Sequence, residues 1–271
     1  MDIKKKCHHH LWLLTGTAEG YVFAEYLLRE GWKVTVSVVS ENASISYEKL
    51  PLEKILIGAL SSKEDIRQII LNKRNKENGF YCVIDLTHPF AVNITPAISR
   101  ICKELDQPFI RYERSLDNIS KAYIIKNFSD LCNYNLKSKS ILFAIGVRSL
   151  KEAIFAIQGT GAKVYARVLA NPYSIRKTLS SCILKSNFAV LNPSASSNGN
   201  IERALVRKWN IDGVVCRQSG GSTENLWHQI CSSMKIKLWM LARPSECEGK
   251  DPINSYEKLN NKLKSINVIY N

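Results

Sequence analysis

The fold is decided by the stretch LWLLTGTAEGYVFAEYLLREGWKVTVSVV, residues 11–39. The apolar run at residues 11–14 predicts a buried strand, and Glu19–Arg29 then shows the i, i+4 spacing of an amphipathic helix. Gly31 is a typical helix stop, and the β-branched residues of 33–39 favour a second strand. Strand, helix and strand in this order predict a βαβ unit with parallel strands.

The same alternation continues along the chain and predicts two α/β domains. Short apolar strands alternate with helices of about 10–15 residues, which is typical of mainly parallel sheets with helices on both faces. Residues 115–140 are polar and carry weaker signals, so we place the link there and the boundary near Asn118. We therefore expect one domain at residues 1–117 and a second at residues 118–271, in agreement with about 150 residues per domain.

Composition excludes several classes of protein. Hydrophobic residues make up 45% of the chain and charged residues 23%, which excludes a disordered or fibrous protein. No uninterrupted apolar run approaches the length of about 18 residues that a membrane span needs, and the apolar run at residues 11–14 is too short for a secretory signal. The eight cysteines are scattered singly, without a Cys-x-x-Cys pair, so we expect reduced thiols in a cytoplasmic protein.

The chain is strongly basic, with a net charge of +14 and a pI of about 9.4. Such a surface attracts polyanions, whether nucleic acid, an anionic membrane or a small acidic ligand. The lysines are dispersed and form no tract longer than Lys4-Lys5-Lys6, so a solvated lysine-rich surface explains the charge equally well.

Two loops in the first predicted domain contain residues suited to ligand binding. In open α/β sheets, ligands bind outside the carboxyl ends of the strands. After the first strand, the loop at residues 15–20 (TGTAEG) offers a glycine, two hydroxyls and a helix N-terminus, which suits a phosphate. The alternative is an ordinary turn in which Thr17 caps the helix. After a later strand, the loop at residues 85–91 (DLTHPFA) carries His88, which either takes part in chemistry or merely caps a helix opened by Pro89.

Two further loops lie in the second predicted domain. Gly146 and Arg148 follow a strand and suit an anionic ligand, although a surface arginine is the alternative. Residues 217–224 (RQSGGSTE) combine an arginine, two glycines and several hydroxyls before a helix, which again favours an anion over a merely flexible loop.

Metal and nucleic-acid sites are not expected. The cluster Cys7-His8-His9-His10 has no second set of spaced ligands, and adjacent histidines on an extended chain point to opposite sides. The five tryptophans are scattered and form no stacking platform for single-stranded nucleic acid.

Taken together, these loops resemble the precorrin-6A and cobalt-precorrin-6A reductases of corrin biosynthesis. The matching residues, in order along the chain, are residues 13–19 (LLTGTAE), residues 85–91 (DLTHPFA), Gly146 with Arg148, residues 219–221 (SGG) and residues 242–244 (ARP). The run Asp-x-Thr-His-Pro-Phe-Ala is the most specific of them.

The resemblance implies a nicotinamide-dependent reductase with two Rossmann-like domains that delivers hydride to a double bond of the macrocycle, giving precorrin-6B or its cobalt form. The polyanionic tetrapyrrole substrate explains the basic charge without nucleic acid or membrane, and other corrin-pathway enzymes are candidate partners. We assign coenzyme contacts to Thr15, Gly16, Thr17, Glu19, Thr87, Ser219, Gly220 and Gly221, and substrate contacts to Pro89, Phe90, Arg148 and Arg217. His88 is the candidate catalytic proton donor, a role that water can also fill.

The chain departs from the family pattern in the region that selects the coenzyme. Thr15 stands where the family usually has a glycine, and residues 40–42 (SEN) stand where relatives often place an arginine. An arginine there suits the 2′-phosphate of NADPH, whereas an acid such as Glu41 suits the free ribose of NADH. We expect NADPH, with NADH as the alternative.

Two other functions remain open from the sequence alone. One is a reductase of the same architecture that acts on another acidic substrate, and a substrate panel would separate it from the first. The other is a non-catalytic nucleotide- or RNA-binding protein, which would bind RNA with a steep salt dependence and show no affinity for nicotinamide coenzymes.

Overall fold

The computed structural model describes residues 9–17, 19–58, 60, 62–76, 78–116, 122–192, 198–244 and 253–266. The strands are β1 His10–Thr15, β2 Lys33–Val38, β3 Lys54–Ile57, β4 Cys82–Leu86, β5 Phe109–Arg111, β6 Tyr123–Ile125, β7 Ser140–Phe143, β8 Lys163–Val168, β9 Phe188–Val190, β10 Gly213–Arg217 and β11 Lys237–Leu241. The α-helices are α1 Glu19–Arg29, α2 Glu41–Ser44, α3 Lys63–Lys76, α4 Ile94–Glu104, α5 Leu150–Ala156, α6 Pro172–Leu179, α7 Asn200–Lys208, α8 Ser222–Met234 and α9 Tyr256–Lys264. Short 3-10 helices lie at Ile45–Tyr47, Phe128–Asn133 and Lys185–Asn187.

The chain divides into two compact units, each built on one parallel sheet. Unit 1 comprises Met1–Ser115 and Pro244–Asn271, and unit 2 comprises Leu116–Arg243. The sheet of unit 1 has the order β3-β2-β1-β4-β5, and that of unit 2 has the order β6-β11-β10-β7-β8-β9. Every strand pair in both sheets is parallel. The predicted α/β fold with two mainly parallel sheets is therefore confirmed.

Both faces of the unit 1 sheet are buried, as a strand with apolar residues at successive positions requires. Leu11 and Leu13 on β1 pack with Phe23 of α1 in one core cluster. Trp12 and Leu14, which point the other way, pack against α3 and α4 in a second cluster. Unit 2 repeats this arrangement, with α5 in one cluster and α7 and α8 in the other.

The first turn of α1 lies unusually close to the sheet because of a glycine. A Cβ atom at Gly20 would come within 2.5 Å of the Tyr47 hydroxyl and 2.7 Å of Thr15 Cβ, distances that real Cβ atoms do not show. A side chain at this position would therefore force the helix away from β1. Gly20 thus sets where the N-terminus of α1 lies relative to the strand end.

The C-terminal segment belongs to unit 1, which corrects the predicted extent of the second domain. We expected residues 118–271 to form that domain, but Leu259 and Leu263 of α9 are fully buried in the core of unit 1. The Tyr81 hydroxyl donates to the Leu263 carbonyl at 3.0 Å, and the Glu113 N–H donates to the Ile253 carbonyl at 2.9 Å. Which sheet α9 covers depends on these distant contacts.

Other differences concern short elements. The strands β3 and β6 were not predicted, and β6 lies in the polar stretch that we had taken for a link. Pro89 does not open a helix, because residues 88–91 form a turn and α4 begins only at Ile94. Within the described residues, no helix combines the length and the apolar character that a membrane crossing requires. Cys7 and His8 of the Cys7–His10 cluster lie outside the described residues, and those described include no group of three or more His, Cys, Asp or Glu side chains that could hold a metal ion.

Candidate active site

The four loops selected from the sequence lie at the switch points of the two sheets. In unit 1, β2 and β3 lie on one side of β1, and β4 and β5 lie on its other side, so the strand order reverses between β1 and β4. In unit 2 the strands β7 and β10 hold the equivalent central positions. Ligands of open α/β sheets bind outside the carboxyl ends of such strands. Each sheet therefore presents two of the selected loops where a ligand is expected.

In unit 1 the loops after β1 and β4 lie side by side. A Cβ atom on Gly16 would stand 3.8 Å from both Thr87 Cα and the His88 backbone nitrogen, an ordinary contact distance. The Thr15 side chain is buried and its hydroxyl donates to the Ser37 carbonyl at 3.0 Å. The Thr15 side chain thus links β1 to β2.

A cavity of about 790 Å³ opens beside the β1 loop. Its lining combines the loop residues Thr15, Gly16 and Thr17 with Tyr21, Val38, Val39, Ala43, Ile45, Ser46, Tyr47 and Lys49. The volume is in the range of about 300–1,000 Å³ that is typical of small-molecule sites. Apolar walls beside a phosphate-type loop fit the adenosine end of a dinucleotide. Glu41 is exposed and is not among the lining residues, whereas Lys49, which the sequence analysis did not select, is.

Glu19 places a carboxylate at the N-terminus of α1. Burial alone would raise its pKa, but hydrogen bonds from its own N–H and from the Thr17 hydroxyl, together with the Arg114 guanidinium, outweigh burial and lower it. Arg114 forms an ion pair and a hydrogen bond with the Glu19 carboxylate. Glu19 is therefore held ionised on donor groups that a phosphate would use. Arg114 lies 95 residues away in sequence, and no local pattern pointed to it.

A buried polar network supports the β4 loop from below. The Asp85 carboxylate is fully buried, accepts the Thr87 N–H at 2.9 Å and the Thr95 hydroxyl at 2.7 Å, and pairs with Arg111 at 2.9 Å. Arg111 also donates to the Thr87 hydroxyl at 3.0 Å and to Glu113. A buried network whose members are satisfied rigidifies the backbone it holds. Arg111 and Glu113 were not predicted, whereas Asp85 was noted only as part of the motif.

His88 adopts a defined orientation above this network. Its Nδ1 accepts the Phe90 N–H at 3.1 Å, and its carbonyl accepts the Ala91 N–H at 2.7 Å. Because Nδ1 is the acceptor, the neutral ring carries its proton on Nε2, which is then the donor. Pro89 and Phe90 complete the turn, and the Phe90 ring lies 5.8 Å from the His88 ring. His88 therefore stabilises the turn through Nδ1, and the neutral ring carries its proton on Nε2.

In unit 2, two arginines gather at the switch point. Arg217 lies at the end of β10, and its Nη1 would be 3.8 Å from a Cβ on Gly146, whose φ is +76°. Arg217 also donates to the Ser149 hydroxyl at 3.3 Å. Burial, and after it the positive charge of Arg148, lower the pKa of Arg217. Two guanidiniums that repel each other in a partly buried place favour an anionic ligand.

The glycine loop after β10 is arranged differently from expectation. The Gly220 N–H donates to the Glu224 carboxylate at 2.7 Å, and Glu224 is buried. Ser219 and Gly221 are also buried, so this loop presents little of the backbone assigned to the coenzyme. Arg243, which follows β11, hydrogen-bonds to Gln218 through its N–H and its Nε, at 3.3 and 3.4 Å. The arginines therefore carry the positive charge at this end of the strands, whereas the Gly220 N–H is already bound to Glu224.

Comparisons with known proteins agree with this geometry. The family model described as precorrin-6x reductase CbiJ/CobK matches residues 10–264. The cobalt-precorrin-6A reductase of Synechocystis sp. is 27% identical over 246 residues, which cover 89% of this chain and 90% of that protein. The precorrin-6A reductase of Mycobacterium tuberculosis is 26% identical over 247 residues, covering 91% of this chain and 93% of that one.

A solved structure supports the fold independently. The structure described as CobK precorrin-6A reductase superposes with a TM-score of 0.73 at 17% identity, and the match covers 94% of this chain and 96% of that one. At this identity the match concerns the fold alone. The family model, by contrast, spans almost the whole described sequence, including all four loops. The chain belongs to the precorrin-6x reductase CbiJ/CobK family.

Proposed function

We propose that this protein reduces precorrin-6A or its cobalt form to the corresponding precorrin-6B with NADPH. The observation that carries the proposal is the position of the four family loops: each sheet places two of them at its switch point. Unit 1 offers the dinucleotide cavity beside the β1 loop, and unit 2 offers neighbouring arginines. A phosphate-bearing coenzyme and a macrocycle with many acetate and propionate groups suit these two chemistries.

The reduced nicotinamide supplies the hydride when it is bound. The residues of this chain bind the coenzyme and the substrate, orient them and supply a proton. Gly16 lets the pyrophosphate of the coenzyme approach α1. Arg148 and Arg217 hold substrate carboxylates, which fixes the orientation of the macrocycle. The Nε2–H of His88 is positioned by the Phe90 hydrogen bond on its other nitrogen, so it can hold or donate the proton needed at the neighbouring carbon.

NADPH is favoured over NADH by the charge of the cavity. The 2′-phosphate of NADPH is expected near the end of β2, where Lys49 lines the cavity and Glu41 does not. A lysine ammonium is a suitable partner for a phosphate. Among the residues that the structure describes, Cys132, Cys182, Cys216 and Cys231 are free thiols, in keeping with a reducing compartment, so we place the reaction in the cytoplasm.

Anaerobic turnover tests the proposal directly. Purified protein is incubated with precorrin-6A or cobalt-precorrin-6A and with NADPH or NADH, and coenzyme and macrocycle absorbance are followed together. We expect equal consumption of NADPH and macrocycle, with slower use of NADH. If neither macrocycle promotes oxidation of either coenzyme, the proposed reaction is refuted.

A glycine variant tests the coenzyme site in the same preparation. In Gly16→Val the added side chain starts at ordinary contact distances from its protein neighbours, so the fold should survive. The same side chain should obstruct the approach of the coenzyme pyrophosphate. We expect coenzyme binding to weaken at least tenfold, about 1.4 kcal/mol. Unchanged affinity by calorimetry in a folded variant would exclude the β1 loop as the coenzyme site.

A further inference from the structure

The α1 end of the coenzyme site carries a negative charge where a phosphate is expected. Glu19 is the first residue of α1, and its carboxylate accepts hydrogen bonds from its own N–H and from Thr17. The N-terminus of a helix attracts anions through such N–H groups and through its dipole. An ionised carboxylate on these donors competes with a pyrophosphate and repels it. The site therefore needs a neighbouring cation.

The structure provides that cation from the segment that follows β5. Arg114 is ion-paired with Glu19, and its side chain is only 16% exposed. Both residues line a narrow crevice with Thr17 and Thr87, between the β1 and β4 loops. Burial and, after it, the charge of Glu19 raise the pKa of Tyr112, whereas the charge of Arg114 lowers it. Both charges therefore act on the Tyr112 hydroxyl, which lines the same crevice.

The charges around the crevice leave Glu19 dependent on Arg114 for neutralisation. The groups near the crevice are the carboxylates of Glu19, Glu113 and Asp85 and the guanidiniums of Arg111 and Arg114. Arg111 is shared by Asp85 and Glu113, at 2.9 and 3.0 Å. Loss of Arg114 would leave three carboxylates and one guanidinium next to the loop, in a place where low exposure strengthens charge interactions.

We propose that Arg114 determines coenzyme affinity by neutralising Glu19, which keeps the N-terminus of α1 receptive to the pyrophosphate. This inference rests on the proposed function, because it assumes that the β1 loop binds the nicotinamide coenzyme. Arg114 acts here as a positioning residue. It acts through Glu19, and so its effect depends on the charge of Glu19.

A double-mutant cycle tests this dependence. The dissociation constant of NADPH is measured by calorimetry for the wild type, Arg114→Met, Glu19→Gln and the double variant, with circular dichroism to check folding. We expect Arg114→Met to weaken binding at least fivefold relative to the wild type. The double variant should bind within twofold of Glu19→Gln, because no uncompensated carboxylate remains. Arg114→Lys, which keeps the charge, should bind within threefold of the wild type.

Each other outcome is informative. Binding by Arg114→Met within twofold of the wild type overturns the inference. A double variant as weak as Arg114→Met also overturns it, because Arg114 then contacts the coenzyme directly. If Arg114→Met does not fold, the double variant and Arg114→Lys decide the question, since the neutral pair leaves no unpaired charge. A wild-type protein that binds no nicotinamide coenzyme refutes the proposed function itself, whereas the other outcomes leave that function intact.

Discussion

Replacing His88 with asparagine separates its observed part in a turn from the proton-donor role that we propose for it. In the wild type, Nδ1 accepts the Phe90 N–H at 3.1 Å, which stabilises the turn at residues 88–91. An asparagine oxygen can accept the same N–H in an Asx-turn, so His88→Asn should keep the loop. What the variant loses is the Nε2–H. Its effect on turnover therefore reports on the imidazole as a donor, without the cost of an unfolded loop.

The size of the loss follows from what Nε2–H can contribute. A hydrogen bond to a charged group contributes about 1.5–3 kcal/mol, which at about 1.4 kcal/mol per factor of ten is roughly 10- to 150-fold. A general acid typically contributes about 10²–10⁴-fold. Because the nicotinamide carries the hydride and solvent can also supply the proton, we expect a loss of about tenfold to a hundredfold in kcat/KM. A purely orienting role would raise KM more than it lowers kcat.

The assay is steady-state turnover of precorrin-6A with NADPH, with thermal unfolding as a check on the fold. His9→Asn is the matched control, because His9 lies at the amino end of β1, away from the loops that follow the strands, and stacks on Tyr81. We expect wild-type turnover from the control. If His88→Asn folds normally and retains wild-type kcat/KM, then His88 serves only the turn and does not belong to the active site.

The remaining predictions concern coenzyme choice, packing and thiol reactivity. Lys49→Gln should reduce the preference for NADPH over NADH, measured as a ratio of kcat/KM, by about fivefold, since an exposed ion pair contributes at most about 1 kcal/mol; an unchanged ratio, with Lys63→Gln as control, would remove Lys49 from the site. Gly20→Ala should lower the free energy of unfolding in urea by about 1–3 kcal/mol, because its methyl group overlaps side chains packed under α1; full stability would contradict that close approach. Burial raises the pKa of Cys231 to about 12, so iodoacetamide at pH 8 should label exposed Cys132 and spare Cys231 in the native protein, as mass spectrometry of the peptides would show.

The sequence by itself determined the local elements and the loops. The helix predicted at Glu19–Arg29 has the same bounds in the structure, and the strand predicted at residues 33–39 is β2, Lys33–Val38. Both depend on the spacing of apolar residues within one element, which is a local property. The motif at residues 85–91 likewise identified a loop after a strand and the family to which the chain belongs.

Two short strands and the start of α4 could not be predicted from the local sequence pattern. Strands of three or four residues, such as β3 and β6, offer too few positions to show a period of two. Pro89 has the chemistry of a first helical residue, yet the His88 turn takes its place and delays α4 to Ile94. The first failure reflects too little local signal, and the second reflects the hydrogen bonds of the Phe90 and Ala91 N–H groups to His88.

Only the tertiary structure decided which charges meet at the site. The parallel strand order brings the β1 and β4 loops together, and it places Lys49 beside the first of them. Arg114 reaches Glu19 across 95 residues of sequence, and Arg111 reaches Asp85 across a strand pair. Periodicity records which face of an element is buried, but it carries no record of which distant element covers that face. The site depends on the second kind of information, because its charges come from segments that only the folded sheet makes neighbours.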